Sequence, residues 1–378
     1  MSEPTTKPAT EPASTATAPQ PAAAQNESGI LPPQHWAQLA EEGHDDSSDF
    51  EDAGSSTASL SSSLLNYRTI QGRRYHSDQG NAQYWAANDD AQNEALDIIH
   101  HVITLLLDGK LHLAPLKDDI QKVLDVGTGT GTWLPRARRL ALSYAQHGSS
   151  PGIWAIDFAD EHPSVSVLGT DISSIQPGWI PPNLQFQIDD CTQEWTFPEN
   201  TFDYVHIRWL FGSIVDWTAL FKQAYRSLKP GGYIESHEPS VSFLSDDGTV
   251  NDKTAMGQFG KFFVEGGKKM GRSTTVLEDG IQRKGIEEAG FVDIHEVNLK
   301  TPVGGWPKDP KQREIGKFQQ LAVLNDLEGT MLYMSHIIGW SRDELTVYMA
   351  QLRRELRSKD IHGYYWQKVV WARKPESA

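Results

Sequence analysis

Short apolar runs and helix-type patterns alternate along the chain from residue 121 onward. The apolar runs are too short for buried helices and are typical of strands in a parallel sheet that are joined by crossover helices. Strands are predicted at 122–126, 166–170, 184–188, 204–208, 232–236, 292–301 and 364–372. Because the segment between the last two is not a crossover of normal size, one of them is expected to run antiparallel. The pattern therefore predicts an α/β fold.

Helical patterns flank these strands. One helix is expected to begin at Asn88-Asp89-Asp90, which supply a cap and an acidic first turn, and to end at Gly109. Its apolar positions at helical spacing are Leu96, Ile99, Ile103 and Leu106. Two later stretches, 240–290 and 304–358, combine helical patterns with many aromatic residues, and we expect them to form lid segments over the carboxyl ends of the strands.

The first 63 residues differ from the rest in composition. Ser, Ala, Thr, Pro and acidic residues dominate them, and they hold ten of the 50 acidic side chains but only one basic one. Apart from a short patch at 30–36, they cannot bury enough apolar surface to offset the entropy of ordering. The sequence predicts a disordered acidic tail over 1–63, followed by one folded domain over 64–375.

Charge and cysteine content exclude several functions. The formal net charge is −16 and no basic stripe is present, which disfavours direct binding of nucleic acid. Cys191 is the only cysteine, so an intrachain disulfide is impossible and a reducing compartment is expected. Neither a secretory signal nor an apolar run long enough to span a bilayer is present. These features predict a protein of the cytoplasm, the nucleus or both, without a transmembrane segment.

A glycine-rich turn follows the first predicted strand. Asp125 lies near the end of the strand, and Gly127, Gly129 and Gly131 follow at alternate positions. Glycines let the backbone adopt positive φ and pass close to a ligand, and the next helix would point free N–H groups at a polar part of it. Dinucleotide sites have a similar turn, so this motif alone leaves the ligand open.

Acidic residues at the ends of the next two strands indicate which ligand the glycine turn binds. Asp171 ends the second strand, where its carboxylate would meet a ribose diol. Asp189 and Asp190 follow the third strand and suit an adenine amino group. The spacing G-x-G-x-G also differs from the G-x-G-x-x-G of pyrophosphate-binding turns. With the helix end, turn and strand at 228–234, these motifs resemble in order those of class I S-adenosylmethionine-dependent methyltransferases.

The resemblance extends over residues 64–375, which are similar to the fungal LaeA-like methyltransferases. It is carried by Gly72-Arg73-Arg74-Tyr75-His76, Asn88-Asp89-Asp90, His100-His101, Gly169-Thr170-Asp171-Ile172-Ser173, Ile175-Gln176-Pro177, Asp203-Tyr204-Val205-His206-Ile207-Arg208, Trp306-Pro307-Lys308-Asp309 and Ala372-Arg373-Lys374-Pro375. It implies a Rossmann-like, seven-stranded class I methyltransferase sheet with helical lid insertions, and S-adenosyl-L-methionine as cofactor. Members of this family act as accessory methyltransferases of secondary-metabolite clusters or in nuclear regulatory complexes with velvet-type proteins.

The resemblance also implies roles for individual residues. The residues expected at the methionine part of the cofactor are Asp125, Gly127, Gly129 and Gly131. Asp171, with Ile172 beside it, is expected at the ribose, and Asp189 and Asp190 at the adenine. Arg208 is expected beside the reaction site, and Tyr75 and Tyr84 over the sulfonium. For the two tyrosines, packing in the core is the alternative. His206, His237 and Glu238 lie near strand ends and are the candidates for a catalytic base, although methyl transfer needs only alignment of nucleophile and sulfonium. No metal site is predicted, and the sequence leaves the methyl acceptor open.

Two other functions compete with an enzyme in secondary metabolism. One is a regulatory protein that acts through velvet-type partners with little or no methyl transfer. The other is an NAD-dependent oxidoreductase, which the glycine spacing and the missing Tyr-x-x-x-Lys set disfavour.

One segment departs from the family pattern. In relatives the third glycine leads directly into a helix that resembles 153–161, whereas here 21 residues, 132–152, intervene. With them, Gly131 and Asp171 are 40 residues apart, and without them 19, close to the ~20 expected between a glycine turn and its ribose acid. Both junctions can be encoded with the GT and AG ends of an intron. The segment is interpreted as a retained intron or as a true insertion.

We expect most transcripts to join the codons of Gly131 and Ile153. A chain without 132–152 is expected to bind S-adenosylmethionine more tightly and to melt at a higher temperature, because Pro135 and the three arginines after it are unsuited to a buried helix. Transcript sequencing and calorimetry on both forms provide the measurement. A mature transcript that retains the segment, with equal affinity of the two forms, would show that the segment is a genuine surface excursion.

Overall fold

The computed structural model describes residues 29–42, 68–75, 84–129, 154–173, 176 and 180–376. The segment 132–152, interpreted as an insertion or a retained intron, and Gly131 lie outside these residues, as do 1–28 and 43–63 of the predicted tail.

Nine strands and nine helices make up the described part of the chain. The strands are β1 (Arg68–Ile70), β2 (Arg73–Tyr75), β3 (Lys122–Val126), β4 (Ser166–Asp171), β5 (Leu184–Ile188), β6 (Phe202–Arg208), β7 (Leu228–Pro239), β8 (Val292–Pro302) and β9 (Tyr364–Arg373). The helices are α1 (Pro33–Glu42), α2 (Asp90–Leu106), α3 (Trp154–Glu161), α4 (Trp217–Ser227), α5 (Ala255–Met270), α6 (Ile281–Glu288), α7 (Pro310–Asn325), α8 (Leu327–Ile338) and α9 (Arg342–Arg357). The two stretches predicted as lid segments contain α5 to α9.

Seven of the strands form one sheet in the order β5-β4-β3-β6-β7-β9-β8. The first five run parallel, and β9 lies antiparallel between β7 and β8. This topology confirms the predicted Rossmann-like, seven-stranded sheet and its antiparallel member. Among the residues that the structure describes, no helix combines the length and the apolar composition needed to cross a membrane.

The strand order creates a crevice beside β3. The chain moves from β3 to β4 on one side of the sheet and later returns to β6 on the other side. Val123 and Leu124 of β3 and Val205 of β6 are fully buried, as is usual for strands that are covered by helices on both faces. The loops after β3, β4 and β6 therefore diverge at the carboxyl edge, where open α/β sheets bind their ligands.

The short hairpin β1–β2 is fixed to the domain through Arg73. Its guanidinium donates to both carboxylate oxygens of Asp89, at 2.6 Å each, and to both of Asp326, at 2.7 and 2.8 Å. Asp89 also caps α2 by accepting from Gln92 N, and Asp326 caps α8 by accepting from Gly329 N. One arginine thus joins the first turns of two helices, and the predicted cap of α2 is confirmed.

The structure departs from the predicted disordered tail at residues 29–42. Helix α1 packs against α9, where the Trp36 side chain is fully buried and its ring centroid lies 5.2 Å from that of Tyr348. Leu31 N donates to Gln258 Oε1 on α5 at 2.9 Å, and Ile30 is also buried. A few apolar residues are enough to order this short segment, because an existing core receives them.

Removal of α1 is expected to destabilise the domain. A chain that starts at Gly43 should lose about 1–3 kcal/mol of unfolding free energy, because it exposes the apolar surface that Trp36 and Ile30 cover. A chain that starts at Gly29 keeps these contacts and should stay within about 0.5 kcal/mol of the full chain. Urea denaturation measures both, and equal stability of the two truncated chains would contradict the role assigned to α1.

Candidate cofactor-binding site

A cavity opens at the carboxyl ends of β3, β4, β5 and β6 and is closed on the opposite side by α2; we call it the switch-point cavity. Its described lining residues include Tyr84, Asn88, Asn93, Leu96, Asp97, Ile99, His100, Gly127, Gly129, Asp171, Ile172, Asp189, Asp190, Cys191, Arg208, Trp209 and Leu210. Most residues that the sequence assigned to the cofactor are brought together here.

The glycine turn after β3 forms one wall of the cavity. Gly127 and Gly129 have φ angles of +69° and +75°, which favour glycine. A Cβ on Gly127 would lie only 2.6 Å from Leu210 Cδ2, whereas a Cβ on Gly129 would have no described atom within 4 Å. Gly127 N and Thr128 N both donate to Thr170 O at 2.9 Å. The turn is therefore held against β4, and no described side chain packs against the position that a Cβ on Gly129 would take.

Asp125 supports this turn from behind and is not itself part of the described cavity lining. One of its oxygens lies 2.7 Å from His206 Nδ1, and the other accepts from the Thr128 hydroxyl at 2.7 Å. The His206 ring stacks on Trp154 of α3, with a centroid separation of 3.8 Å. Asp125 therefore positions the glycine turn, whereas the sequence assigned it direct contact with the methionine part.

Asp171 links the glycine turn to the end of β4. Its carboxylate accepts from Gly129 N at 2.8 Å and from Ser173 N at 2.9 Å. Burial raises the pKa of Asp171 to about 6, although these two backbone donors act in the opposite direction. At neutral pH the group is mostly ionised, and it offers acceptor lone pairs beside the loop on which a ligand would lie.

Asp189 and Asp190, which follow β5, have different surroundings. Asp190 accepts from the backbone and hydroxyl of Thr192, at 2.9 and 2.6 Å, and so closes the turn that follows the strand. Asp189 is half-buried, and burial raises its pKa. Ile172 supplies apolar surface to the same side of the cavity. Asp189 is therefore the more available of the two carboxylates.

Two ionisable side chains that lack a partner among the described residues line the cavity, Arg208 and Asp97. The guanidinium of Arg208, at the end of β6, has no hydrogen bond or ion pair to any described residue, and burial lowers its pKa while Asp125 and Asp157 act in the opposite direction. Asp97 of α2 is 5% exposed and likewise lacks a partner in the described chain. Burial raises the pKa of Asp97 to about 8. The charged forms of both groups are costly to bury without a partner, which indicates a ligand that carries an anionic group for Arg208 and a cationic group that would favour ionised Asp97.

The sequence interpretation missed Asp97 and its neighbour Asn93. Both lie on the face of α2 that lines the cavity, one helical turn apart. Polar residues at helical spacing within an apolar helix face were the available signal. His100, on the next turn, is part of a motif that carried the family resemblance, and its Nε2 lies 2.8 Å from Asp157 Oδ2, which joins α2 to α3.

The two tyrosines are separated by the fold. Tyr84 lines the switch-point cavity, and burial raises the pKa of its hydroxyl. Tyr75 is fully buried, is not among the described lining residues, and packs on Tyr333 with a centroid distance of 5.5 Å. For Tyr75 the geometry matches the core-packing alternative.

None of the three candidate bases is among the described lining residues of the cavity. Burial lowers the pKa of His206 to about 4 and that of His237 to about 3, so both imidazoles are neutral. Glu238 is fully buried and accepts from Leu210 N and Phe211 N at 3.0 Å each, and burial raises its pKa to about 8. In this arrangement Glu238 holds the loop after β6. No group of metal-ligating side chains is found within the described ranges.

Comparison with known proteins identifies the family. A family profile described as "Methyltransferase domain" matches residues 98–266. The methyltransferase pytC of Aspergillus terreus is 35% identical over 326 residues, which are 86% of this chain and 93% of that protein. The probable methyltransferase tdiE of Emericella nidulans is 33% identical over 76% of this chain and 83% of its own length. The secondary metabolism regulator LAE1 of Cochliobolus heterostrophus is 30% identical over 81% and 94%. The chain therefore belongs to the fungal LaeA-like family of S-adenosylmethionine-dependent class I methyltransferases.

Proposed function

We propose that this chain transfers a methyl group from S-adenosylmethionine to an acceptor, a small molecule or a protein, in fungal secondary metabolism. The observation that carries the proposal is the switch-point cavity itself, where Gly129 N is bonded to the Asp171 carboxylate at the crossover of the sheet. The names of the relatives support the setting, since they include two methyltransferases and a regulator of secondary metabolism.

The residues of the cavity fit this cofactor. The amino and carboxylate groups of S-adenosylmethionine are complementary to Asp97 and Arg208, whose side chains lack partners among the described residues. The ribose hydroxyls would donate to Asp171, and the adenine amino group to Asp189. Asn88 Oδ1 is buried without a partner among the described residues, as expected for an atom that a ligand satisfies.

The contribution of the chain to the reaction is alignment and exclusion of water. When bound, the cofactor supplies a methyl group on a positively charged sulfur, which is highly reactive toward a nucleophile. Trp209, Leu210 and Ile214 give the cavity an apolar wall next to Arg208. Charged groups at both ends of the ligand would fix its position, and such positioning can supply a large part of a rate enhancement.

The binding of S-adenosylmethionine should depend on the ionisation of Asp171. Hydroxyl groups donate more strongly to the ionised carboxylate, which has acceptor sites on both oxygens, and with a pKa of about 6 the ionised fraction falls about tenfold from pH 7 to pH 5. Asp171→Asn should bind the cofactor about 10- to 100-fold more weakly than wild type at pH 7, and this ratio should shrink about tenfold at pH 5. Using the ratio cancels the titration of Asp97, which both proteins share.

Calorimetry with S-adenosylmethionine and with NADH at both pH values provides the test. Asp160→Asn, an exposed carboxylate on α3, is the matched control and should bind like wild type. Equal affinity of wild type and Asp171→Asn at pH 7 would overturn the ribose assignment, and tight binding of NADH alone would overturn the proposed function.

A regulatory role is the second candidate, because LAE1 aligns over almost its full length. In that case velvet-type proteins would be the partners and methyl transfer would be weak or absent. Two measurements separate the enzyme from the regulator: purification of the tagged chain from a fungal extract identifies its partners, and calorimetry measures its affinity for the cofactor. Stable velvet-type partners together with undetectable cofactor binding would favour the regulator.

A further inference from the structure

A second cavity adjoins the switch-point cavity; we call it the acceptor chamber. The two share Tyr84, Leu96, Ile99 and Trp209 as lining residues. The chamber lies between α2, α5 and α7, beside the loop that follows β6 and the strand residues Pro239 and Tyr365. A molecule in the chamber would therefore touch the same side chains that line the proposed cofactor site.

The walls of the chamber are apolar and largely aromatic. Trp85 packs against Phe211 and Phe263 with ring centroid distances of 5.2 and 5.1 Å, and Phe243 packs against Phe259 at 4.9 Å. All five rings line the chamber, and none of its described lining residues carries a charge. A charged ligand group would lose its hydration here without gaining a counter-charge, so the lining selects an uncharged and mainly apolar molecule.

Three buried polar atoms of the lining lack a partner in the described structure: Gln92 Oε1, Gln319 Oε1 and Trp209 Nε1. Gln92 is 5% exposed and Gln319 is 3% exposed, so neither amide is satisfied by bulk water. Buried polar groups are nearly always hydrogen-bonded, and unpaired ones call for an explanation. An indole N–H can only donate, whereas an amide oxygen accepts. The chamber thus offers a donor and acceptors around an aromatic interior.

Trp209 is held in an unusual conformation at the wall between the two cavities. Its φ is +59°, which is rare and strained for a bulky residue. The conformation is fixed from both sides, since Trp209 N donates to His237 O at 3.0 Å and the next two amides donate to Glu238. Strain of this kind is retained mainly at functional sites. It places an indole where a ligand of either cavity would touch it.

We propose that the acceptor chamber binds the methyl acceptor, and that this acceptor is an uncharged, planar aromatic molecule with hydroxyl and carbonyl groups. The inference rests on the proposed methyltransferase function. The carbonyl would accept from the indole N–H of Trp209, and the hydroxyl would donate to the amide of Gln92 or Gln319. A lysine or arginine side chain of a protein would bring a cation into a chamber whose described lining has no carboxylate, so a protein acceptor is disfavoured.

Three two-ring probes of nearly equal shape test the proposal on the full chain saturated with S-adenosylhomocysteine. They are 6-hydroxy-2-acetylnaphthalene, the same ketone without its hydroxyl, and 6-hydroxy-2-naphthoate, which is charged. Fluorescence titration should show the hydroxyketone binding at least tenfold more tightly than the carboxylate. Gln92→Leu or Gln319→Leu should weaken binding of the hydroxyketone about three- to tenfold and leave that of the plain ketone unchanged. Gln320→Leu is the matched control, because Gln320 lies on α7 beside Gln319 but its side chain donates to Leu356 O.

Several results would overturn the proposal. These are binding of the carboxylate as tightly as the hydroxyketone, displacement of the probes by a lysine peptide, no effect of either glutamine substitution, or no binding of any probe at about 1 mM. Calorimetry with S-adenosylhomocysteine is run on every variant. If wild type does not bind S-adenosylhomocysteine, the proposed function itself is rejected. If it binds S-adenosylhomocysteine but none of the probes, only the assignment of the chamber is rejected.

Discussion

Replacement of Arg208 with methionine is expected to weaken S-adenosylmethionine binding at least about 30-fold, a loss of about 2 kcal/mol. Arg208 lies in the lining of the switch-point cavity without a partner among the described residues, and burial lowers its pKa without removing its charge. Pairing with the carboxylate of the cofactor would compensate for its burial. Because methionine keeps the apolar stem but not the charge, the unfolding free energy of the cofactor-free chain should not fall.

Calorimetry at pH 7 measures the affinity, and urea denaturation of the same proteins measures the stability. Arg283→Met is the matched control, since its side chain is 48% exposed and lies 3.9 Å from Glu296 on the surface. Arg208→Lys should give an intermediate affinity, because a lysine keeps the charge but cannot form the paired bonds of a guanidinium. Unchanged affinity of a folded Arg208→Met protein would contradict the assigned role.

Replacement of Arg73 with methionine is expected to lower the unfolding free energy by about 3–5 kcal/mol. The guanidinium makes four hydrogen bonds to Asp89 and Asp326, and the Asp326 side chain is only 3% exposed. Removal of the arginine would leave two neighbouring carboxylates at the first turns of α2 and α8 without their shared partner. The cost comes mainly from those unpaired charges.

Arg342→Met provides the comparison on the surface. Arg342 pairs with Glu328 at 2.7 Å, but its side chain is 53% exposed, and such pairs contribute about 0–1 kcal/mol. Urea denaturation of both variants should therefore separate them by at least about 2 kcal/mol. Similar losses for the two substitutions would show that the buried network is not what fixes the hairpin.

The sequence alone was sufficient to predict the sheet and the residues at one edge of the cavity. Strand β3 has the predicted bounds and β4 ends one residue later, because apolar runs of that length between helical patterns have few other solutions. Asp171 and the glycine turn could be placed together before the fold was known, since the carboxyl ends of adjacent parallel strands share one edge. These are properties of local pattern combined with a topology that the pattern implies.

The roles of Asp125 and Glu238 depended on tertiary structure. Both stand at strand ends and looked like groups of an open site, yet each faces partners that are distant in sequence or on a neighbouring loop. Asp125 meets His206 across 81 residues, and Glu238 meets two amides of the loop after β6 across 28 and 27 residues. Composition cannot distinguish a carboxylate that binds a ligand from one that supports a loop, because the difference is only in what fills its lone pairs.

Helix α1 and the buried polar groups of α2 both show what the sequence pattern could not predict. The sequence predicts a disordered tail around Trp36 in spite of the short apolar patch at 30–36, but the helix forms because the surface of α9 covers the indole. The pattern of α2 predicts a buried face, but not that the amide oxygen of Gln92 and the carboxyl of Asp97 would have no partner in the described part of the chain. Periodicity determines which residues turn inward, whereas only the packing of the other helices decides whether an inward polar group is satisfied by the protein or left for a ligand.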